Sequence, residues 1–448
     1  MAVAPRLHTQ QDMRRRNLAA VLYAVADAGP ASRASVAARI GLTRAAVSTL
    51  VDELLTAALL EEQGPGRSGT VGRPGTVLGL SERGPCGVGA EIGVDHLAVC
   101  AVDLRGRVRA RTAVDAANRE SSPELVLRRL AELTARLAKD TAAQGLRPAG
   151  VCVAVPGLVA RRTTRVVRAP NLGWQDVELA PWFAELDREL GLSAAQRRTP
   201  YFFVDNEAHL GARAEVWTEP PGDGEDEGPD GAAPRSASAQ EAAAPGTSQE
   251  TPGEILHVSA EVGIGAAVLV DGELLRGSRG FAGELGHVPV RRRGRPCGCG
   301  RNGCLEQYAG EEAVLRAVGL DPARALAEHP GPGGRVEMLA RRAEDGDRQV
   351  LRALRAAGGD LGVALSGAAS LLDPRTIVLG GAMARLAPWL LPPLEEELAR
   401  GPAGGSVVAV ARLGADGPLL GAAHAVVRAV LDDPLGTATR RPLLAEES

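Results

Sequence analysis

Four side chains able to bind one metal, His287, Cys297, Cys299 and Cys304, fall in a single glycine-rich stretch. From residue 286 to 306 it reads Gly-His-Val-Pro-Val-Arg-Arg-Arg-Gly-Arg-Pro-Cys-Gly-Cys-Gly-Arg-Asn-Gly-Cys-Leu-Glu. Thiolate sulfur and imidazole nitrogen suit zinc, at ~2.3 and ~2.0 Å, and a tetrahedral Cys3His set leaves no open position for an activated water. A structural zinc (Zn) is therefore expected, and the chain must wrap this loop tightly enough to bring four donors to a point. The alternatives are three free cysteines or a disulfide between two of them. A bridge between Cys297 and Cys299, one residue apart, is strained, and the sequence lacks a signal peptide that would suggest an oxidising compartment.

At 448 residues the chain has room for two or three units, and 45% hydrophobic residues suffice for a core. It holds no apolar run long enough to span a membrane, and the basic N-terminus has no following apolar h-region, so a cytoplasmic protein without a membrane partner is expected. Cys86, Cys100 and Cys152 sit in apolar surroundings and read as buried small hydrophobes. Lys139 is the only lysine against many arginines. Arginine abundance in a chain biased toward Ala, Gly and Pro is weak evidence for nucleic-acid binding. The net charge of −4 is unevenly spread. Residues 219 to 254 hold nine acids against Arg235, a local −8, which leaves +4 on the rest. That stretch has no apolar periodicity and is rich in Pro, Gly, Ala and Ser. Residues 219–253 are expected to be a disordered acidic insertion inside one domain.

The first 80 residues follow a different grammar. Residues 14 to 28 carry a helical apolar pattern through Leu18, Val21, Leu22 and Val25, ended by Gly29-Pro30. Ser32 is placed to cap a short helix through Ile40, Gly41 to make a turn, and Thr43 to cap a longer helix running to about Leu59. Ala37, Gly41, Val47 and Leu50 stand at the offsets of a helix-turn-helix: Ala37 permits close helix approach, Gly41 supplies positive φ, and Val47 and Leu50 pin the second helix. Thr43, Arg44, Ala45, Ser48 and Thr49 then face outward, where they meet the DNA major groove. Gln63 to Gly75 reads as a wing loop, with Arg67 and Arg73 able to reach phosphates or a narrow minor groove. The alternative is a three-helix packing subdomain with a solvated hairpin.

From residue 88 strands alternate with helices. Gly87–Val94 and His96–Asp103 read as a hairpin, Gly106–Val114 as a third strand, Pro123–Lys139 as an amphipathic helix, and Val151–Val155 as a buried strand. Strand-turn-glycine units return at Leu256–Leu275 and Thr376–Gly381. The fold class is α/β: an N-terminal winged helix-turn-helix (residues 1–84), then a two-lobed domain (85–430), then a tail (431–448). A glycine-bearing hairpin in each half resembles the actin-like, ribonuclease-H-like ATPase fold.

Gly280-Phe-Ala-Gly-Glu284-Leu-Gly-His287, the Cys-x-Cys-Gly-x-x-Gly-Cys-x-Glu run ending at Glu306, Ala169-Pro-Asn171-Leu-Gly-Trp174 and Val204-Asp-Asn206-Glu207-Ala together resemble the ROK family of repressors, open reading frames and sugar kinases. The resemblance covers about residues 14 to 430, and the winged helix marks the repressor branch, similar to xylose and N-acetylglucosamine repressors. It implies a sugar pocket made by Asn171, Asn206, Glu284, His287 and Glu306. Carboxylates and amides supply the paired acceptors and donors that vicinal hydroxyls need. His287 is expected to orient a hydroxyl through one ring nitrogen and hold zinc through the other.

The family's kinases cradle ATP in two glycine turns whose N–H groups meet phosphate oxygens. Here the first turn reads Glu91-Ile-Gly93-Val94-Asp95, with Asp95 in place of a threonine. The second reads Ala260-Glu261-Val262-Gly263, with Glu261 where a glycine should approach the phosphates. Glu207 stands at the position of the catalytic aspartate and is expected to bind a sugar hydroxyl instead. The expectation is therefore a sensor without turnover: a homodimer, or a dimer of dimers, that binds a double-stranded DNA operator and responds to a sugar or sugar phosphate. A sugar kinase with an appended DNA-binding domain is the rival, and a regulator with no sugar ligand is a third reading.

Overall fold

The computed structural model describes residues 10–27, 29–65, 76–189, 201–217, 254–401 and 405–436. The N-terminal unit is a winged helix. Helix α1 (Gln10–Ala26) buries Leu18, Val21, Leu22 and Val25. After a short strand β1 (Ala31–Ser32), the Ser32 hydroxyl accepts from the Ser35 N–H and opens α2 (Arg33–Ile40), which Gly41 ends at φ 70°. The Thr43 hydroxyl accepts from the Ala46 N–H and opens α3 (Arg44–Thr56). A side-chain oxygen at each N-cap satisfies a donor the helix cannot, and glycine bears the left-handed turn without a Cβ clash. Helix α3 stops short of the expected Leu59. Ala58 adopts φ 57°, the Leu59 N–H bonds back to the Leu54 carbonyl, and Leu59 turns into the core. Strands β2 (Leu60–Pro65) and β3 (Thr76–Leu80) form the antiparallel wing, with β1 on the other edge of β3. Arg67 and Arg73 lie outside the described residues.

Both lobes repeat one plan. In lobe 1, β4 (Gly84–Ile92), β5 (His96–Asp103) and β6 (Val108–Asp115) run antiparallel. Helix α4 (Pro123–Ala142) crosses to β7 (Leu146–Val155), which lies parallel to β4 on its other side. A small sheet of β8 (Leu158–Val159), β9 (Arg165–Ala169) and β10 (Trp174–Glu178) and then α5 (Ala180–Glu189) precede β11 (Tyr201–Asn206), parallel to β7. Helix α6 (Glu207–Trp217) closes the lobe. Lobe 2 repeats the order: β12 (Ile255–Ala260), β13 (Ile264–Val270) and β14 (Glu273–Leu274) are antiparallel, and β15 (Thr376–Gly380) and β16 (Val407–Val410) are added parallel to β12. Short helices α7 (Glu306–Ala309), α8 (Glu311–Ala317), α9 (Pro322–Glu328) and α10 (Gly334–Glu344) lead to α11 (Arg348–Leu372) and α12 (Ala387–Ala399), which pack together under this sheet.

The last helix, α13 (Gly417–Asp432), returns to lobe 1 and lies across β4 beside α6. It is seated by missing side chains. A Cβ on Gly87 would stand 2.2 Å from the Ala423 carbonyl oxygen, one on Gly89 2.3 Å from that of Leu419, and one on Gly421 2.0 Å from that of Leu210. Its far end carries the winged helix: the Tyr23 hydroxyl donates to Asp432 at 2.5 Å, Arg428 stacks 4.7 Å from the Tyr23 ring, and Leu18, Val21 and Leu22 share one core with Val427 and Leu431. Arg105 adds a second tie, donating to the Leu80 carbonyl at 2.7 Å and pairing with Glu61 at 2.7 Å and with Glu82. The tail expected from residue 431 therefore begins later, because Leu431 and Leu435 are buried. Residues 437–448 lie outside the described residues, as do 218–253, which include the acidic insertion. Helix α6, before those residues, packs on β12 and β13 after them. Among the described residues no helix is long and apolar enough to cross a membrane.

Gly421→Ala drives a methyl into the α6 backbone and is expected to lower stability by about 2 to 3 kcal/mol. Gly359→Ala, in a helix position where a Cβ meets open space, is expected to raise it by up to about 1 kcal/mol. Urea unfolding of the two variants checks both signs.

Candidate functional site

The His/Cys loop is held in shape by its glycines. Gly303 has φ 79°, and a Cβ there would fall 1.6 Å from the Arg291 carbonyl oxygen; one on Gly294 would fall 2.1 Å from the Tyr308 hydroxyl. Isolated bridges Pro289–Cys304 and Pro296–Asn302 fold the strand back on itself, and Arg291 pairs with Asp360 of α11 at 2.9 Å. His287, Cys297, Cys299 and Cys304 converge, with all four donor atoms within 4.8 Å of one another. Cys299 Sγ lies 3.6 Å from Cys304 Sγ, and His287 Nδ1 3.7 Å from Cys297 Sγ. Zinc–sulfur bonds of ~2.3 Å in a tetrahedron place two sulfurs about 3.8 Å apart, so the donor set fits that ion. The other nitrogen, His287 Nε2, faces Glu284 Oε2 at 3.8 Å.

Between the lobes, Asn171 from lobe 1 and Glu306 from lobe 2 meet over Gly263. A Cβ there would stand 2.8 Å from Glu306 Oε2 and 3.1 Å from Asn171 Nδ2. Glu207 and Glu261 line the same cleft. Burial and then the Glu91 carboxylate push Glu207 up to about 8, and burial also raises Glu284 and Glu306. Asn206 has a structural part in the same region. Its side-chain oxygen accepts from the Ala208 N–H at 2.8 Å, and its amide donates to the Gly157 carbonyl at 2.9 Å, so it caps α6 and fixes the approach to Glu207.

Two buried ion clusters join residues that the sequence motifs do not pair. Asp205 takes a two-point contact from Arg276, at 2.6 and 3.0 Å, and lies 3.2 Å from His209 Nδ1; the other nitrogen of His209 meets the Ala282 carbonyl at 3.1 Å. Burial alone would raise the Asp205 carboxyl, but His209 and Arg276 hold it well below the usual range. This joins the helix carrying Glu207 to the loop carrying Glu284. The second cluster spans the lobes. Arg335 of α10 binds Asp95 at 2.6 Å and also Glu311, while His96 lies 2.9 Å from Asp95 and 3.6 Å from Glu91, an ion-pair distance longer than a hydrogen bond. All five are buried. Arg119 adds an exposed tie from lobe 1 to Glu312 at 2.8 Å. A two-residue Asp-His turn and an arginine 240 positions away share no local pattern, so only the fold reveals their meeting.

On the winged helix, Thr43, Arg44, Ala45 and Thr49 are exposed and Ser48 partly so, while Val47 and Leu50 are buried. Arg33 braces the back of the unit through Asp52 and Glu62, at 3.1 and 2.8 Å.

The ROK family profile matches residues 87–219 and 237–429. The xylose repressor of Bacillus spizizenii is 26% identical over 409 residues, which cover 90% of this chain and 92% of that protein. A crystal structure of a ROK family transcriptional regulator, a homologue of the Escherichia coli Mlc protein, aligns over 95% of this chain and 98% of its own, with 25% identity and a TM-score of 0.69. A ROK family glucokinase from Streptomyces griseus, in complex with glucose and AMPPNP, aligns over 76% of this chain and 98% of its own, with a TM-score of 0.57 and 23% identity. At that identity the likeness concerns the two-lobed fold.

Burial pulls the His96 imidazole down, but its contacts with Asp95 and Glu91 outweigh this and raise it to about 10. An unfolded histidine loses its proton near ~6.5. The stabilisation from protonated His96 is thus complete below that pH and lost as pH rises toward 10. Between pH 6 and 9 the wild type is expected to lose stability relative to His96→Gln by up to a few kcal/mol. Parallel pH–stability curves for the two proteins would contradict the placement of a buried cation here.

Proposed function

The chain belongs to the ROK family, and we propose that within it the protein is a sugar-responsive, DNA-binding transcriptional regulator, a repressor of carbohydrate-metabolism genes. The observation that carries this reading is the joining of a winged helix, through α13, to the lobe that supplies Asn171 and Glu207 to an interlobe cleft. A ligand held by Asn171 and Glu207 on one side and by Glu284, His287 and Glu306 on the other binds one lobe arrangement better than another. It shifts the equilibrium by that difference in affinity. The winged helix follows lobe 1, and two such heads in a homodimer, or in a dimer of dimers, must match half-sites about one DNA turn apart. Thr43, Arg44, Ala45, Ser48 and Thr49 enter the major groove, and Arg67 and Arg73 of the wing reach the backbone or minor groove.

His287, Cys297, Cys299 and Cys304 hold a structural zinc. Bound there, the ion supplies rigidity to the loop and polarises no substrate, because all four positions are filled by protein. His287 passes that rigidity to Glu284. Against the kinase alternative stands the turn that would meet phosphates: Asp95 is already engaged by Arg335 and His96, and Glu261 faces the same cleft. The domain senses ligand and performs no phosphoryl transfer. A coupled assay in which sugar-dependent ADP release appears, and disappears in Glu207→Ala, would make the protein a kinase.

Metal analysis is expected to find one zinc per chain, and Cys299→Ser to lose zinc and solubility together, because such metal binding is also folding free energy. Arg44→Ala is expected to cost about 1 to 3 kcal/mol of operator affinity in gel shifts at fixed salt; unchanged affinity would remove α3 from the groove. Glu284→Ala should abolish the ligand's effect on DNA affinity and leave ligand-free DNA binding intact, since the two sites communicate only through lobe geometry.

A further inference from the structure

The wall of the cleft beyond Asn171 and Glu306 is built from carboxylates. Glu91, Asp95, Glu207, Glu261 and Glu311 all line it. Two cations face them, His96 and Arg335, and both are already committed: Arg335 to Asp95 at 2.6 Å and to Glu311, His96 to Asp95 at 2.9 Å and to Glu91 at 3.6 Å. No other lysine or arginine among the described residues lines the cleft.

The backbone donors that would hold a phosphate are taken as well. The His96 ring lies against Gly93, where a Cβ would stand 2.1 Å from its Cε1, so the imidazole fills the hollow of the first turn. Across the cleft the Ala382 N–H, beside the Gly381 turn, donates to Glu261 Oε1 at 3.3 Å. In both lobes a side chain of the protein itself sits where an incoming anion would need a donor. Glu207 and Glu261 are held partly neutral by burial and by their acidic neighbours. A neutral carboxyl can donate to a hydroxyl oxygen but offers a phosphate no compensating charge.

We propose that the cleft takes an unphosphorylated sugar and rejects sugar phosphates, with Glu207, Glu261 and Glu91 as the determinants of that selectivity. This rests on the sugar reading above. A phosphate ester directed at this wall brings about two negative charges to within a few ångströms of carboxylates in a partly dehydrated space. It finds no unpaired cation there. A hydroxyl at the same place finds both acceptors and a donor.

Calorimetry and thermal shift on the full-length, zinc-loaded protein test this with matched pairs: D-xylose and its 5-phosphate, D-glucose and its 6-phosphate, N-acetyl-D-glucosamine and its 6-phosphate. At least one free sugar is expected to bind at least about thirtyfold more tightly than its own phosphate, a gap of ~2 kcal/mol. Only the free sugar should change operator affinity. In Glu261→Ala, which frees the Ala382 N–H for an incoming anion, that gap should narrow by about tenfold, and Glu91→Gln, read the same way, should move it in the same direction if either variant alone perturbs folding. A phosphate binding as tightly as its free sugar overturns the proposal and leaves the sugar reading standing. A gap unchanged in both variants also overturns it, by removing the carboxylates as its cause. If no member of any pair binds or alters DNA affinity, the sugar reading falls and this proposal falls with it.

Discussion

The close seating of α13 on lobe 1 is the constraint on which the other relationships depend. Three glycines, Gly87 and Gly89 on β4 and Gly421 on α13, let backbone meet backbone where any side chain would collide. The contact is dense and apolar, and at such packing density even one added carbon must displace something. Through it the C-terminus of the chain becomes part of the first lobe, α6 is fixed beside it with Glu207 at its first turn, and the winged helix gains a base built from Val427 and Leu431. The DNA-binding unit shares its core with the body of the protein, which sets it apart from a head on a flexible linker.

What was legible in the sequence is what depends on neighbours along the chain. The four side chains that could hold one metal are close in sequence, and their chemistry suits zinc. The helix-turn-helix announces itself through Ser32, Gly41 and Thr43, each doing a local job at a helix end, and the hairpins through alternating apolar residues closed by glycine turns. Where α3 ends was misjudged because the apolar run continues to Leu59. The chain keeps that burial by a back-bonded turn at Ala58, a choice made by the core rather than by propensity. Asn206 also caps α6 and donates to the Gly157 carbonyl, a structural job that its motif does not spell out. Arg335, Glu311 and His96 carried no signal at all, because the buried pair that unites them, Arg335 with Asp95, joins residues 240 positions apart and is a property of the packed lobes.

That interlobe cluster has an unusual energetic character. Burying an ion pair costs desolvation that the attraction repays only with good geometry, so a buried pair is weak evidence for stability and better evidence for a specified arrangement. Arg335 meets two carboxylates from two elements, one on each side of the cleft. Separating the lobes would break the Arg335–Asp95 pair and leave Arg335 with Glu311 and Asp95 with His96. The cluster therefore defines one lobe arrangement sharply, against which a second can be counted.

The duplicated strand order and the single helix that crosses back from lobe 2 give the molecule the mechanics of a lever. Helix α13 has 16 residues, about 24 Å at ~1.5 Å per residue. A hinge rotation of about 10° at the cleft would become roughly 4 Å of travel at the far end of a helix of this length, close to the ~3.4 Å rise of a single DNA base pair. The protein converts an angle, which a small molecule can change, into a length, which a double helix can measure.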